Sequence, residues 1–175
     1  MTDVGLLGRF RWALRAAPAE RTRISERQSG AIPYTVVDGI PVFLLVTSRR
    51  SGRWIFPKGG IGSSLTAAQS AAREALEEAG VEGDVDVSAI GSFRTWKIRG
   101  IRRQAIEVDM YPLRVIRQLD DWQEQSQRRR HWATLQEARR LISERRLKDL
   151  LGQLDRRERG HVQPPDTLSA ADLHD

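Results

Sequence analysis

The sequence predicts an α/β protein. Three observations carry that expectation: apolar, β-branched runs separated by turn residues, one helix between residues 66 and 80 with a complete start and stop signal, and a helical pattern that returns after Thr134. A chain of 175 residues is about the size of one domain. With 39% hydrophobic and 30% charged residues it has the composition of a folding chain, not of a disordered one.

Residues 1–28 mix Arg with Ala, Leu and two Glu, and are expected to form a basic N-terminal arm ahead of a domain over 29–154. Ala31 to Val37 reads as a strand, Gly39 as a turn, and Val42 to Val46 as a buried strand, which makes a hairpin. Ser51-Gly52 is a further turn before Trp54-Ile55-Phe56, a short strand stopped by Pro57 and followed by Gly59-Gly60. Thr66 with Gln69 three residues on forms a capping box for a helix over Ala67 to Ala79, and Gly80 closes it. Val81 to Ile90, Ser92 to Ile98 and Gln104 to Val115 read as strands, the last two joined as a hairpin around Gly100. Thr134 caps a helix through Leu141, and Arg145 to Leu154 is helical. Residues 155–175 turn to Arg, Glu, Gly and Pro and are expected to be a disordered tail.

Composition excludes several chemistries. There is no cysteine, so disulfides, thiolate metal sites and thiol nucleophiles are out. Only His131, His161 and His174 remain, two of them in the expected tail, which leaves too few parts for a histidine metal site or a Ser-His-Asp arrangement. No apolar run reaches the roughly 18 residues of a membrane span, and the start lacks the apolar core of a secretion signal. A cytoplasmic location with no membrane partner is therefore expected. A net charge of +6 suggests an anionic partner.

The helix after Thr66 carries the chemistry. With Glu74 at zero on a wheel of about 100° per residue, Glu77 falls at about −60° and Glu78 at about +40°. Three carboxylates share a face, opposite a stripe of Ala68, Ala72, Ala75, Leu76 and Ala79. Each like-charge pair costs a few tenths of a kcal/mol, and acids in the C-terminal half oppose the macrodipole by roughly 0.3–1 kcal/mol apiece. A hard divalent cation would compensate, and magnesium suits carboxylates combined with phosphate oxygens. Arg73, beside Glu77, can orient a carboxylate.

The run Gly59 through Val81, GGIGSSLTAAQSAAREALEEAGV, resembles the Nudix box, G-x5-E-x7-R-E-U-x-E-E-x-G-U with U aliphatic, without a gap. One position departs from the pattern: Leu65 stands where the box has its first glutamate. The segments SRRSGRWIFPKGG and DDWQEQSQRRRHWATLQEA are similar to the diphosphoinositol polyphosphate and diadenosine polyphosphate branch of these hydrolases, in its bacterial type. The resemblance covers about Ser29 to Leu154 and implies an α/β/α sandwich with a mixed β-sheet.

It also implies roles. Glu74, Glu77 and Glu78, with the Gly59 carbonyl, would hold magnesium, with manganese as a substitute. Water would attack phosphorus in a diphosphate-linked substrate, one of Glu77 and Glu78 serving as general base, with Arg73 in support. Glu107 and Glu124 are further candidate bases. Loss of the acid at Leu65 predicts an altered second metal site.

Basic residues gather around the box: Arg49, Arg50 and Arg53 before it, Lys58 at its edge, Arg94, Lys97, Arg99, Arg102 and Arg103 on the central hairpin, and Arg128, Arg129 and Arg130 before Trp132. A polyphosphorylated small molecule would use such guanidinium groups bidentately. Arg49, Arg53, Lys58, Arg102 and Arg129 are the expected substrate contacts, Arg53 foremost. Two other readings share these residues: a hydrolase of RNA 5′ phosphates, with Trp96 as a stacking platform, and a binding module that has lost turnover.

Overall fold

The computed structural model describes residues 24–99 and 102–161, apart from the side chains of residues 24, 25, 97–99, 102, 103 and 161. The secondary elements run β1 (Ile24–Val37), β2 (Ile40–Thr47), β3 (Trp54–Ile55), β4 (Lys58–Gly60), α1 (Ala67–Ala79), β5 (Val81–Val85), β6 (Gly91–Arg99), β7 (Arg102–Gln118), β8 (Arg130–Thr134), α2 (Leu135–Leu141) and α3 (Arg145–His161). The expected hairpin forms with Tyr34 opposite Phe43 and Val37 opposite Ile40. Asp38 and Gly39, both at positive φ, make its turn.

The sheet is mixed. Its path is β3-β2-β1-β7-β5, with β4 added to β1, β6 to β7 and β8 to β2. β1 and β7 run parallel from Ile24/Ala105 to Tyr34/Arg114, whereas the remaining pairs are antiparallel. Residues alternate sides along each strand. Ala31, Leu44, Val46, Tyr111 and Leu113 meet the alanines of α1 on one face. On the other, Ile32, Tyr34, Phe43, Leu45, Val108 and Met110 meet Ala138 of α2 and Leu147, Leu150, Leu151 and Leu154 of α3. This is the α/β/α sandwich with a mixed sheet that the sequence led us to expect.

The ordered domain is wider than residues 29–154. At the front, β1 starts at Ile24, because residues 24–28 find partners on β7 and β4. At the back, α3 runs on through residues 155–161, where the sequence suggests a disordered tail. Its leucines at i, i+3, i+4 and i+7 seat it on the core. Beyond them, Asp155 is 6% exposed and accepts from Arg159 at 2.9 Å, while Arg157 donates to Asp86 at 2.6 Å. The rest of the proposed arm and tail lies outside the described residues. Two strands also differ from expectation: β5 ends at Val85, short of Ile90, and residues 130–134 form β8 on β2. No helix among the described residues is long and apolar enough to cross a membrane.

α1 is fixed at both ends. The Thr66 hydroxyl accepts from Gln69 N at 3.1 Å and the Gln69 side chain accepts from Thr66 N at 2.9 Å. Gly80 ends it in the left-handed region, φ 62°, with its N–H bonded to Leu76 O at 3.0 Å. A Cβ on Gly80 would lie 2.7 Å from Trp122 Cβ. Left-handed strain and overpacking together are expected to cost Gly80→Ala about 2–4 kcal/mol. Urea unfolding of the variant checks this, and a midpoint equal to wild type would contradict it.

Candidate active site

The acidic face of α1 does not point into solvent. β4 hydrogen-bonds to β1 with Lys58 opposite Gly30 and Gly59 opposite Ser29, which lays the Lys58–Gly60 backbone across the helix. Gly59 lacks a side chain where the Glu74 carboxylate lies: a Cβ there would come within 2.2 Å of Glu74 Oε1. The Glu74 side chain is 13% exposed and that of Glu78 is 9%, while Glu77 is more open at 34%. The apolar stripe is turned accordingly: Ala68, Ala71, Ala75 and Ala79 are the buried alanines, and Ala72 and Leu76 are only partly covered.

Cations offset the charge of this face. Arg73 lies 3.6 Å from both Glu74 Oε1 and Glu77 Oε1 and donates to Gly60 O at 3.5 Å, tying helix to loop. Glu78 Oε2 accepts the Lys58 N–H at 3.3 Å, and its Oε1 accepts from Arg128 Nη2. Arg130 donates to Ala79 O at 3.1 Å and Leu119 O at 2.8 Å, supplying the cation that the last turn of α1 itself lacks. Its guanidinium also stacks 3.8 Å over Trp122.

Burial leaves its mark on proton affinity. Burial raises the Glu78 pKa to about 7, against the pull of Arg128 and Lys58. Burial first, and Glu77 second, raise that of Glu74. The Lys58 pKa is lowered by burial.

Glu78 opens onto a cleft of about 430 Å³ walled by Arg49, Arg50, Lys58 and Arg128, with Gln28, Ile55, Thr95 and Ile106 also lining it and Trp96, 49% exposed, at its edge. A second open cleft of about 450 Å³ shares Ser48, Arg49 and Arg128 with the first and adds Arg129, Gly52 and Gln125 to Gln127. Arg49, common to both clefts, pairs with Glu124 at 2.9 Å.

The structure thus gathers Gly59, Arg73, Glu74, Glu77, Glu78, Lys58 and Arg49, and puts Arg129 in the adjoining cleft. Arg53 is exposed on the turn, where its carbonyl accepts from Ser48 N at 2.8 Å, and it lines neither cleft. The Arg102 side chain lies outside the described residues. Glu107 is on the strand face opposite to cleft-lining Ile106, between Arg27 at 3.9 Å and Arg94 at 4.0 Å. Glu124 does reach the site, through Arg49 and Arg128. Sequence reasoning places Arg128 among the basic clusters without singling it out. The sequence carries no signal for it: Arg128 and Arg129 are neighbours of the same type, both ahead of β8.

At the Leu65 position no acid is needed to shape the loop. Leu65 N donates to Gly62 O at 3.1 Å, and Gly62 N donates to Ser70 Oγ at 3.1 Å. The remaining donors, carboxylates and a backbone carbonyl, are the hard oxygens that magnesium takes. Gly59 provides the bare backbone that Glu74 needs beside β4. Among the described residues no three acidic or histidine side chains converge on one point, and Glu78 is engaged by Arg128.

Comparison with known proteins agrees with this geometry. The family model described as NUDIX domain matches residues 31–155. The chain is 35% identical over 106 residues to Nudix hydrolase 12, mitochondrial, of Arabidopsis thaliana, covering 56% of this chain and 50% of the relative. It is 32% identical over 103 residues to diphosphoinositol polyphosphate phosphohydrolase 3-beta of Bos taurus, covering 58% and 59%. The match thus spans only about half the length of these curated relatives. A crystal structure of a C. elegans Ap4A hydrolase binary complex superposes with a TM-score of 0.58 at 19% identity, over 77% of this chain and 98% of that one, a likeness of fold. These relatives are eukaryotic and one is named as mitochondrial, so they lend no support to a bacterial type or to a cytoplasmic location. The chain belongs to the Nudix family.

Proposed function

We infer that this protein is a metal-dependent pyrophosphohydrolase that opens a phosphoanhydride bond of a small phosphorylated substrate by attack of water on phosphorus. The observation that supports it most is the Glu74 carboxylate packed against the bare backbone of Gly59, with Glu78 on the neighbouring Lys58 N–H, beside a cleft walled by cations. Magnesium, or manganese in its place, would be held by Glu74, Glu77, Glu78 and the Gly59 carbonyl. When bound, it neutralises phosphate charge and acidifies water. Arg73 keeps Glu74 and Glu77 in register with the β4 loop. Glu77 is the most open of the three, which supports it over Glu78 as the acceptor of the proton from the attacking water. Arg49, Arg50 and Lys58 bind the phosphates of the substrate, and the bulk of the molecule keeps to the cleft beyond them.

Two clefts joined at Arg49 favour a substrate with more phosphates than the pair being split, such as a dinucleoside polyphosphate or a diphosphoinositol polyphosphate. Trp96 at the edge of the first cleft favours a second reading, the 5′ phosphates of RNA. A hydrolysis screen that follows release of the phosphorylated products by anion-exchange chromatography, over dinucleoside polyphosphates, diphosphoinositols, nucleotide sugars and triphosphorylated RNA, with magnesium and with chelator, separates them. We expect metal-dependent release, fastest from the first two classes. Faster release from RNA would favour the second reading, and no release from any substrate would favour a binding module.

A further inference from the structure

Arg128 is the most enclosed cation of the site, its side chain 3% exposed. It leaves the loop before β8 and reaches α1, where Nη2 donates to Glu78 Oε1, Nε to Glu124 Oε2, and Nη1 to Thr47 O at 2.9 Å. Three of its five N–H donors, one on each nitrogen, are engaged within the protein, so most of its donor capacity is spent before a substrate arrives. Its partner Glu124 is itself fixed, by Arg49 Nη1 at 2.9 Å on its other oxygen and by its own N–H on Glu77 O at 3.2 Å. A guanidinium does not lose its proton, so the positive charge that Arg128 holds beside Glu78 is permanent. Two cations drawing on one carboxylate repel each other, the more strongly the less water lies between them.

We propose that Arg128 is a positioning residue that serves Glu78 as an internal counter-cation in the metal-free protein and competes with the divalent cation for that carboxylate. Arg128 keeps a buried acid neutralised and in place, and it sets the intrinsic cation affinity of the helix low. The cation then binds firmly only when substrate phosphates add their own charge. This rests on the reading of the helix carboxylates as a cation site.

The test is Mn2+ binding to the full chain without substrate, followed by the paramagnetic signal of the free ion. Arg128→Met removes the charge and keeps an unbranched side chain. Arg128→Lys keeps the charge on a single nitrogen that cannot bridge Glu78 and Glu124 together. The expected order of affinity is Met above Lys above wild type, with at least tenfold between the ends. A scaffold role alone would lower the metal-free melting temperature and leave the affinity where it was, and a role in preparing the metal site would weaken Mn2+ binding in both variants. Either result overturns the proposal. If the Met variant fails to fold, the Lys variant decides, and binding no tighter than wild type overturns it. No Mn2+ binding by wild type or variants overturns the cation-site reading, and this proposal with it.

Discussion

Glu77→Gln and Glu78→Gln are each expected to lower turnover at least a hundredfold while the protein stays folded. A hundredfold is about 2.7 kcal/mol of transition-state stabilisation, modest for a charge removed next to a phosphorus under attack. The amide introduced by Glu78→Gln keeps the shape of the carboxylate and one acceptor oxygen, enough to hold either the Lys58 N–H or Arg128, the two partners of Glu78. Glu77 is the most exposed of the three acids, and its replacement disturbs little packing. Both variants should also lose most of the magnesium-dependent rise in melting temperature, because a ligand stabilises only through its affinity for the folded state. Hydrolysis at the wild-type rate in either variant would remove that residue from the site.

Gly59→Ala should separate activity from stability. The added methyl would overlap the Glu74 carboxylate, 2.2 Å from Oε1, and meets no backbone atom closer than that. The side chain is the flexible partner, so Glu74 swings away and the strand remains. Turnover is expected to fall at least tenfold, with metal-free stability lowered by about 1 kcal/mol, the low end of an overpacking cost because a flexible side chain gives way. Gly60→Ala is the matched control, since a Cβ there meets nothing within 4 Å. Equal activity of the two alanine variants would show that Glu74 does not need its place against β4.

The parts of this molecule that the sequence made legible are those written in short-range patterns. The capping box Thr66/Gln69, the Gly80 stop and the apolar hairpin strands depend on neighbours a few residues away, and all appear where expected. The spacing of Glu74, Glu77 and Glu78 likewise fixes a common helix face. What that face meets is a tertiary matter: β4 arrives through its pairing with β1, roughly thirty positions earlier in the chain, and half-buries the face opposite the alanine stripe. β8 was hidden for a similar reason. Residues 130–134 hold Arg, His and Trp in one short run, and only pairing with the apolar β2 makes them a strand. The end of α3 was hidden by composition, because Arg157 and Arg159 read as solvated chain until Asp86 and Asp155 are seen beside them. Arg128 differs from Arg129 in nothing but the side of the chain it leaves from. One is buried across Glu78 and Glu124 and the other is exposed in a cleft.

The central claim is that the carboxylates of α1 hold a divalent cation that drives hydrolysis of a phosphoanhydride. Product release from the best substrate, followed by anion-exchange chromatography and titrated with magnesium for wild type and Glu78→Gln side by side, tests it most directly. The account predicts release by wild type that rises from nothing to saturation with magnesium, and at least a hundredfold less from Glu78→Gln throughout. Release that persists in chelator, or equal release from the two proteins, would contradict it.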